Sequence, residues 1–160
     1  LHAVLRLLLD EQVSIRNLPL ILEATAEART GSSQPEAICE HVRQRLGFQL
    51  VAEMRREDGT LPLVQLAPEW EDTFNMYQVD ADRGLDIALP PELFNDLAER
   101  VSEKLQSANS NGIYAAIVTN TRRRRFLRTV MRAKGITNPV LSFEEIGLDA
   151  RPSLVGVVAA

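Results

Sequence analysis

The chain has 160 residues, 45% hydrophobic and 25% charged, with 18 Lys and Arg against 22 Asp and Glu for a net charge of −4. That is globular composition, long enough for one domain or two small ones, and nothing in it attracts a polyanion globally. A single Cys39 excludes an internal disulfide framework, and the absence of any run of eighteen apolar residues makes a membrane-spanning helix unexpected. Leu1 opens directly on an amphipathic pattern rather than on a signal peptide, so the expectation is a soluble, cytoplasmic piece of a longer protein.

In chain order, Leu1, Val4, Leu5 and Leu8 recur at helical spacing and predict a helix to Asp10. Residues 11–17 interrupt it. A second helix is expected over Leu18–Arg29, with Asn17 as N-cap and Pro19 in the first turn, where a missing N–H costs nothing. Ser33 and Glu36 have capping-box spacing ahead of a third helix through Ile38, Val42 and Leu46. Gly47-Phe48 makes its end ambiguous. Phe48–Met54 reads as more helix, the alternative being a strand paired through Asp58-Gly59 with Leu61–Leu66.

After a polar turn at Arg55–Thr60 the pattern alternates. Strands are expected at Leu61–Leu66, Ile113–Val118, Pro139–Phe143 and Leu154–Val158. Helices are expected at Pro68–Met76, Pro90–Gln106 and Thr121–Lys134, with a loop at Asp80–Asp86 and a turn at Ser107–Gly112. The fold class is therefore α plus α/β: an all-helical subdomain over residues 1–58, then an α/β subdomain over 59–160 with a mostly parallel sheet of about four strands.

Two of these helices have oppositely charged faces. Over Pro91–Leu105, the residues Leu93, Phe94, Leu97, Ala98, Val101 and Leu105 share one side and Glu92, Asp96, Glu99 and Glu103 the other. Over Thr121–Lys134, an inner stripe of Phe126, Leu127, Val130, Met131 and Ala133 is opposed by Arg124, Arg125, Arg128 and Arg132. Arginines in a first turn oppose the helix dipole by about 0.3–1 kcal/mol each when exposed. Three things could offset this: the neighbouring acidic helix, a partner with an acidic surface, or nucleic acid. Arg124, Arg125, Arg128 and Arg132 are accordingly the candidate partner-binding residues.

Catalytic constellations are not found. There is no Gly-rich phosphate loop and no Gly-x-Ser-x-Gly elbow. Cys39 and His41 face different ways on a helix and cannot complete a tetrahedral zinc site, so Cys39 reads as a packing residue and His41 as a boundary one. Asp80, Asp82 and Asp86 suggest a calcium loop, but Gly84 falls at the fifth place and Pro91 at the twelfth, where a bidentate Glu is required. Glu144 and Glu145 lack a nearby His or Lys and read as capping or solvating a turn. A helix-turn-helix over residues 1–29 would present Glu23 and Glu27 to phosphate, which repels them. No catalytic residue, cofactor or metal is expected.

The order of segments resembles a known family. Leu7-Leu8-Leu9-Asp10-Glu11-Gln12-Val13-Ser14-Ile15-Arg16-Asn17-Leu18 and then Ile21-Leu22-Glu23-Ala24 resemble a block of the FlhA/LcrD family, the large export-gate subunit of type III secretion. The resemblance continues at Glu57-Asp58-Gly59, at Leu61-Pro62 and at Leu66-Ala67-Pro68-Glu69-Trp70-Glu71. It ends at Pro139-Val140-Leu141-Ser142-Phe143-Glu144-Glu145-Ile146 and Val155-Gly156. Gly47-Phe48 departs from it, standing where a helix-continuing polar pair is expected.

The resemblance implies an N-terminal membrane half and a cytosolic half of four subdomains assembled into a nonameric ring. Of these the chain looks like the last two cytosolic subdomains, at the cytoplasmic face of the inner membrane. It implies contacts with other copies of the subunit, with the export ATPase complex and with chaperone–substrate complexes, and no nucleic acid. Thr121–Arg128 looks more like flagellar sequences of alphaproteobacteria. The implied role is a non-enzymatic docking and ring-assembly segment of the flagellar export gate. The alternatives are a virulence-system homologue and, in a different class, a nucleic-acid-binding module led by the arginine helix.

Overall fold

The structure is a computed structural model describing residues 1–81, 84–147 and 150–160. The chain forms two units, one of Leu1–Glu53 with Glu144–Ala150, the other of Met54–Phe143 with Arg151–Ala160. The first unit thus includes a segment from far along the chain, beyond the expected helical residues 1–58.

The first unit holds α1 (His2–Asp10), α2 (Leu18–Ala28) and α3 (Pro35–Arg45), and α4 (Gly47–Met54) follows as the helix the apolar spacing favours over a hairpin. Val4, Leu8, Ile21, Ala24, Ile38, Cys39, Val42, Leu46 and Leu50 are buried. Helix α1 stops because Gln12 turns to φ 61, where its N–H reaches the Leu9 carbonyl and that of Val13 the Leu8 carbonyl. This is the closed helix end that spares the last carbonyls from being orphaned.

Two expected caps are absent. Asn17 makes no side-chain cap bond, and the Ser33…Glu36 capping box does not form. Gln34 is the cap of α3, Ser32 Oγ accepts from its N–H, and Pro35 starts the helix with φ already set. The ambiguity at Gly47 has a steric cause: a Cβ there would lie 2.2 Å from the backbone oxygen of Glu145. Only a residue without a side chain admits that approach.

The second unit holds β1 (Thr60–Leu66), α5 (Glu69–Met76), β2 (Gln78–Ala81), β3 (Gly84–Ile87), α6 (Pro91–Ser110), β4 (Ala116–Thr119), α7 (Thr121–Ala133), β5 (Val140–Ser142) and β6 (Arg151–Val158). Four strands form a fully parallel sheet in the order β5-β4-β1-β6. This is the expected fold class. Helices α6 and α7 share a core with it through Leu97, Val101, Leu127, Val130 and Met131 against Val64, Ile117 and Val158. Each large side chain so buried is worth about 1.5–3 kcal/mol.

Of the segment expected to be a loop at Asp80–Asp86, the described residues belong instead to the antiparallel pair β2–β3. The calcium reading depends on Asp82, which lies outside the described residues. Helix α6 runs four residues past its expected end, through the Ser/Asn-rich segment, because Ala108 is buried one turn beyond Leu105. Its carbonyl at Ala108 then receives the Ile113 N–H.

Candidate functional site

Helix α7 carries the arginines. Asn120 caps it, with Oδ1 accepting from the Arg123 N–H at 3.0 Å. Gly135, at φ 71, closes its far end while the Ile136 N–H reaches the Met131 carbonyl. The buried side consists of Arg123, Arg124, Leu127, Val130 and Met131. The stripe is therefore rotated from the expected one: Ala133 is exposed, and two arginines stand inside.

Arg124 corrects the reading of the candidate set. It is fully buried, not on the outer side, and one of its guanidinium nitrogens donates to the Val140 carbonyl at 3.1 Å. Position 124 is about 60° of rotation from the middle of the buried stripe, close enough for a long side chain to fold under the helix. Of the other three, Arg125 and Arg128 are half-buried and Arg132 is exposed.

Arg123, which the sequence did not single out, is the more heavily engaged. Its Nε donates to Glu71 Oε1 at 2.9 Å, and its two terminal nitrogens donate to Gln78 Oε1 at 2.9 Å and Asn75 Oδ1 at 2.8 Å. The guanidinium carbon stands 5.9 Å from the centre of the Phe74 ring. Arg122 donates to the same Gln78 oxygen at 3.1 Å, and Asn120 reaches Glu71 Oε2 at 3.4 Å. Intramolecular compensation of the helix dipole thus exists, but this acid comes from the first turn of α5, not from α6.

The second unit also has a recess of about 220 Å³ at the carboxyl ends of β1 and β4, lined by Leu66, Trp70, Phe74, Thr119, Asn120 and Phe143 with Glu71. Its one acid is the Arg123 partner, so no acid/base pair faces into it. In the first unit Cys39 is buried and takes part in no disulfide. His41 Nε2 lies 2.9 Å from Glu27. Hydrogen bonds from Arg45 and then from His41 hold the Glu27 carboxyl below the usual carboxylate range.

Glu145 does not solvate a turn. It is buried, and its carboxylate takes Arg43 Nε at 2.8 Å and a second Arg43 nitrogen at 3.2 Å. Glu11 stands 3.8 Å from the same guanidinium. One signal could have found Arg43: it lies one helical turn after Cys39 and beside Val42, on the apolar side of α3.

The comparisons with known proteins agree with this architecture. The chain is 35% identical to the flagellar biosynthesis protein FlhA of Caulobacter vibrioides over 97% of its own length, which spans 22% of that protein. Among solved structures, the nonameric EscV cytosolic domain from the type III secretion system superposes with a TM-score of 0.79 at 25% identity, over 98% of this chain and 46% of that one. The Chlamydia pneumoniae CdsV and CdsO protein complex gives 0.86 at 22% identity, over 97% and 46%. The FHIPEP family model matches residues 1–151, and the chain belongs to the FHIPEP family.

Proposed function

We propose that this chain is a non-enzymatic docking and ring-assembly segment of a type III protein export gate, the flagellar one, on the cytoplasmic side of the inner membrane. The observation that carries the reading is the match to a flagellar FlhA along 97% of the chain. The chain spans about a fifth of that relative, so it supplies one part of a larger subunit. No helix among the described residues is long and apolar enough to cross a membrane, which fits a part that reaches the membrane only through another segment.

In this reading the helical subdomain, residues 1–58, contributes contacts with other copies of the subunit. The nonameric assembly of the EscV relative supports that role. The α/β subdomain, residues 59–160, presents its charged surface to soluble export components, the ATPase complex and chaperone–substrate complexes. The CdsV relative, solved together with CdsO, supports that role. Arg125, Arg128 and Arg132 remain the partner-binding residues, with Arg124 assigned to the core. The virulence-system reading is favoured by the EscV relative and is separable by experiment.

The test is a chimera in which this chain replaces the matching segment of the Caulobacter FlhA. Motility restored in a strain lacking that protein is the expected result. A chimera that accumulates in the membrane yet leaves the cells non-motile would contradict the flagellar reading.

A further inference from the structure

Helices α6 and α7 lie side by side on one layer of the α/β unit, sharing its core. Their outer crests carry opposite charge. On α6 the exposed residues include Glu92, Glu99 and Glu103; on α7 Arg122 and Arg132 are exposed and Arg125 is half-buried. Among the described residues, none of these acids stands within ion-pair distance of a base, and none of these arginines within ion-pair distance of an acid. The charges nearer the core or the flank do pair, as Arg123 does with Glu71 and Arg100 with Asp96. The unit thus keeps two parallel rows of unneutralised charge on one surface.

Resting on the reading that the α7 crest docks a partner, we infer that the two rows together receive one helix of a partner protein, acidic along the flank over α7 and basic along the flank over α6. The spacing favours a helix. Arg125 and Arg132 are two turns apart, as are Glu92 and Glu99, about 10 Å along each axis. Packed helices stand about 8–10 Å apart, so the rows are separated by roughly one Debye length at physiological salt, about 8 Å, and a ligand seated over both feels each of them. A polyanion drawn to the arginines is therefore also repelled by the glutamates. A uniformly acidic helix and a nucleic acid are both selected against, while a helix with segregated flanks satisfies both rows.

The probes are three synthetic helical peptides: one with Glu on one flank and Lys on the other, one of identical composition with the flanks mixed, and one all-Glu. Their affinities for the chain are measured by fluorescence anisotropy at low and high salt. The segregated peptide is expected to bind about tenfold tighter than either control and to weaken about tenfold on adding salt. Arg125→Glu with Arg132→Glu should remove that binding, and so should Glu99→Lys with Glu103→Lys. A chain carrying all four changes should recover it toward the peptide with exchanged flanks, which excludes misfolding as the cause.

Equal binding by the all-Glu peptide, lost on changing Arg125 and Arg132, would overturn the two-row inference and leave the arginine-docking reading standing. Binding indifferent to Arg125 and Arg132 would overturn both. A salt-sensitive dimer of the chain itself, abolished by the same substitutions in sedimentation, would also overturn the inference and assign the surface to a second copy.

Discussion

Each unit encloses an arginine, and the two are held in different ways. In the helical unit Arg43 meets Glu145, 102 residues away, and the acid's side chain is completely enclosed. In the α/β unit Arg123 meets Glu71, whose side chain is 36% exposed, and shares its remaining donors between two amide side chains and an aromatic face. The first is a closed clasp, a bidentate pair shut away from water with Glu11 beside it. The second is a network with water at its edge, which can lose a member and still solvate what remains.

The largest expected effect follows from the clasp. Glu145→Ala leaves the Arg43 guanidinium without its bidentate carboxylate, and urea unfolding should show a loss of about 3–5 kcal/mol. Replacing both residues by apolar ones of similar volume should cost less than that single change. A loss below about 1 kcal/mol for Glu145→Ala would mean that water reaches Arg43 and that the comparison with Arg123 is false.

Gly47→Ala tests the same clasp sterically. Its Cβ would be driven against the Glu145 backbone oxygen, which no side-chain rotation can clear. A cost of about 1–3 kcal/mol or more is expected, and it should be less than additive with Glu145→Ala, because both changes displace one segment. In the open network Glu71→Ala should cost only about 1–2 kcal/mol, since Gln78 and Asn75 still accept from Arg123. Equal losses for Glu71→Ala and Glu145→Ala would remove the distinction.

The smallest effect concerns exposed charge. The Glu27 carboxyl is held low, first by Arg45 and then by His41. A depressed acid contributes stability above the ordinary carboxylate pKa and loses it as pH falls through its own lowered value. Following Glu27 by NMR titration should show Arg45→Ala raising its pKa more than His41→Ala does. The reverse order would contradict the assignment of Arg45 as the stronger partner.

Much of the architecture was legible in the chain. The helices and the four strands of the parallel sheet stand close to where period and turn residues place them, because burial of Leu97, Val101, Leu127 and Val130 leaves a clear helical repeat and Ala115–Val118 a continuous apolar run. What was not legible depended on partners distant in sequence. Nothing near Glu145 announces Arg43, and nothing near Arg123 announces Glu71. The β2–β3 pair hid behind its acidic residues: Val79 and Ala81 alternate with Gln78 and Asp80, and Leu85 and Ile87 with Gly84 and Asp86, but each run is only four residues long and reads equally as an acidic loop. The Ser33 cap failed because Pro35 can start a helix without it. Arg124 was misplaced because helical periodicity assigns a side but cannot tell when a long side chain turns under the helix to a carbonyl.

The central claim is that α7 divides its arginines into an inner set that holds the fold and an outer set whose charges the fold does not require. The most direct test is urea unfolding of Arg124→Glu beside Arg125→Glu with Arg132→Glu, under one set of conditions. The account predicts a loss of about 3 kcal/mol or more, or failure to fold, for Arg124→Glu, which buries a carboxylate against the Val140 carbonyl. It predicts a change within about 0.5 kcal/mol for the crest pair. Comparable stability of the two variants would contradict it, whether both stay folded or both are lost.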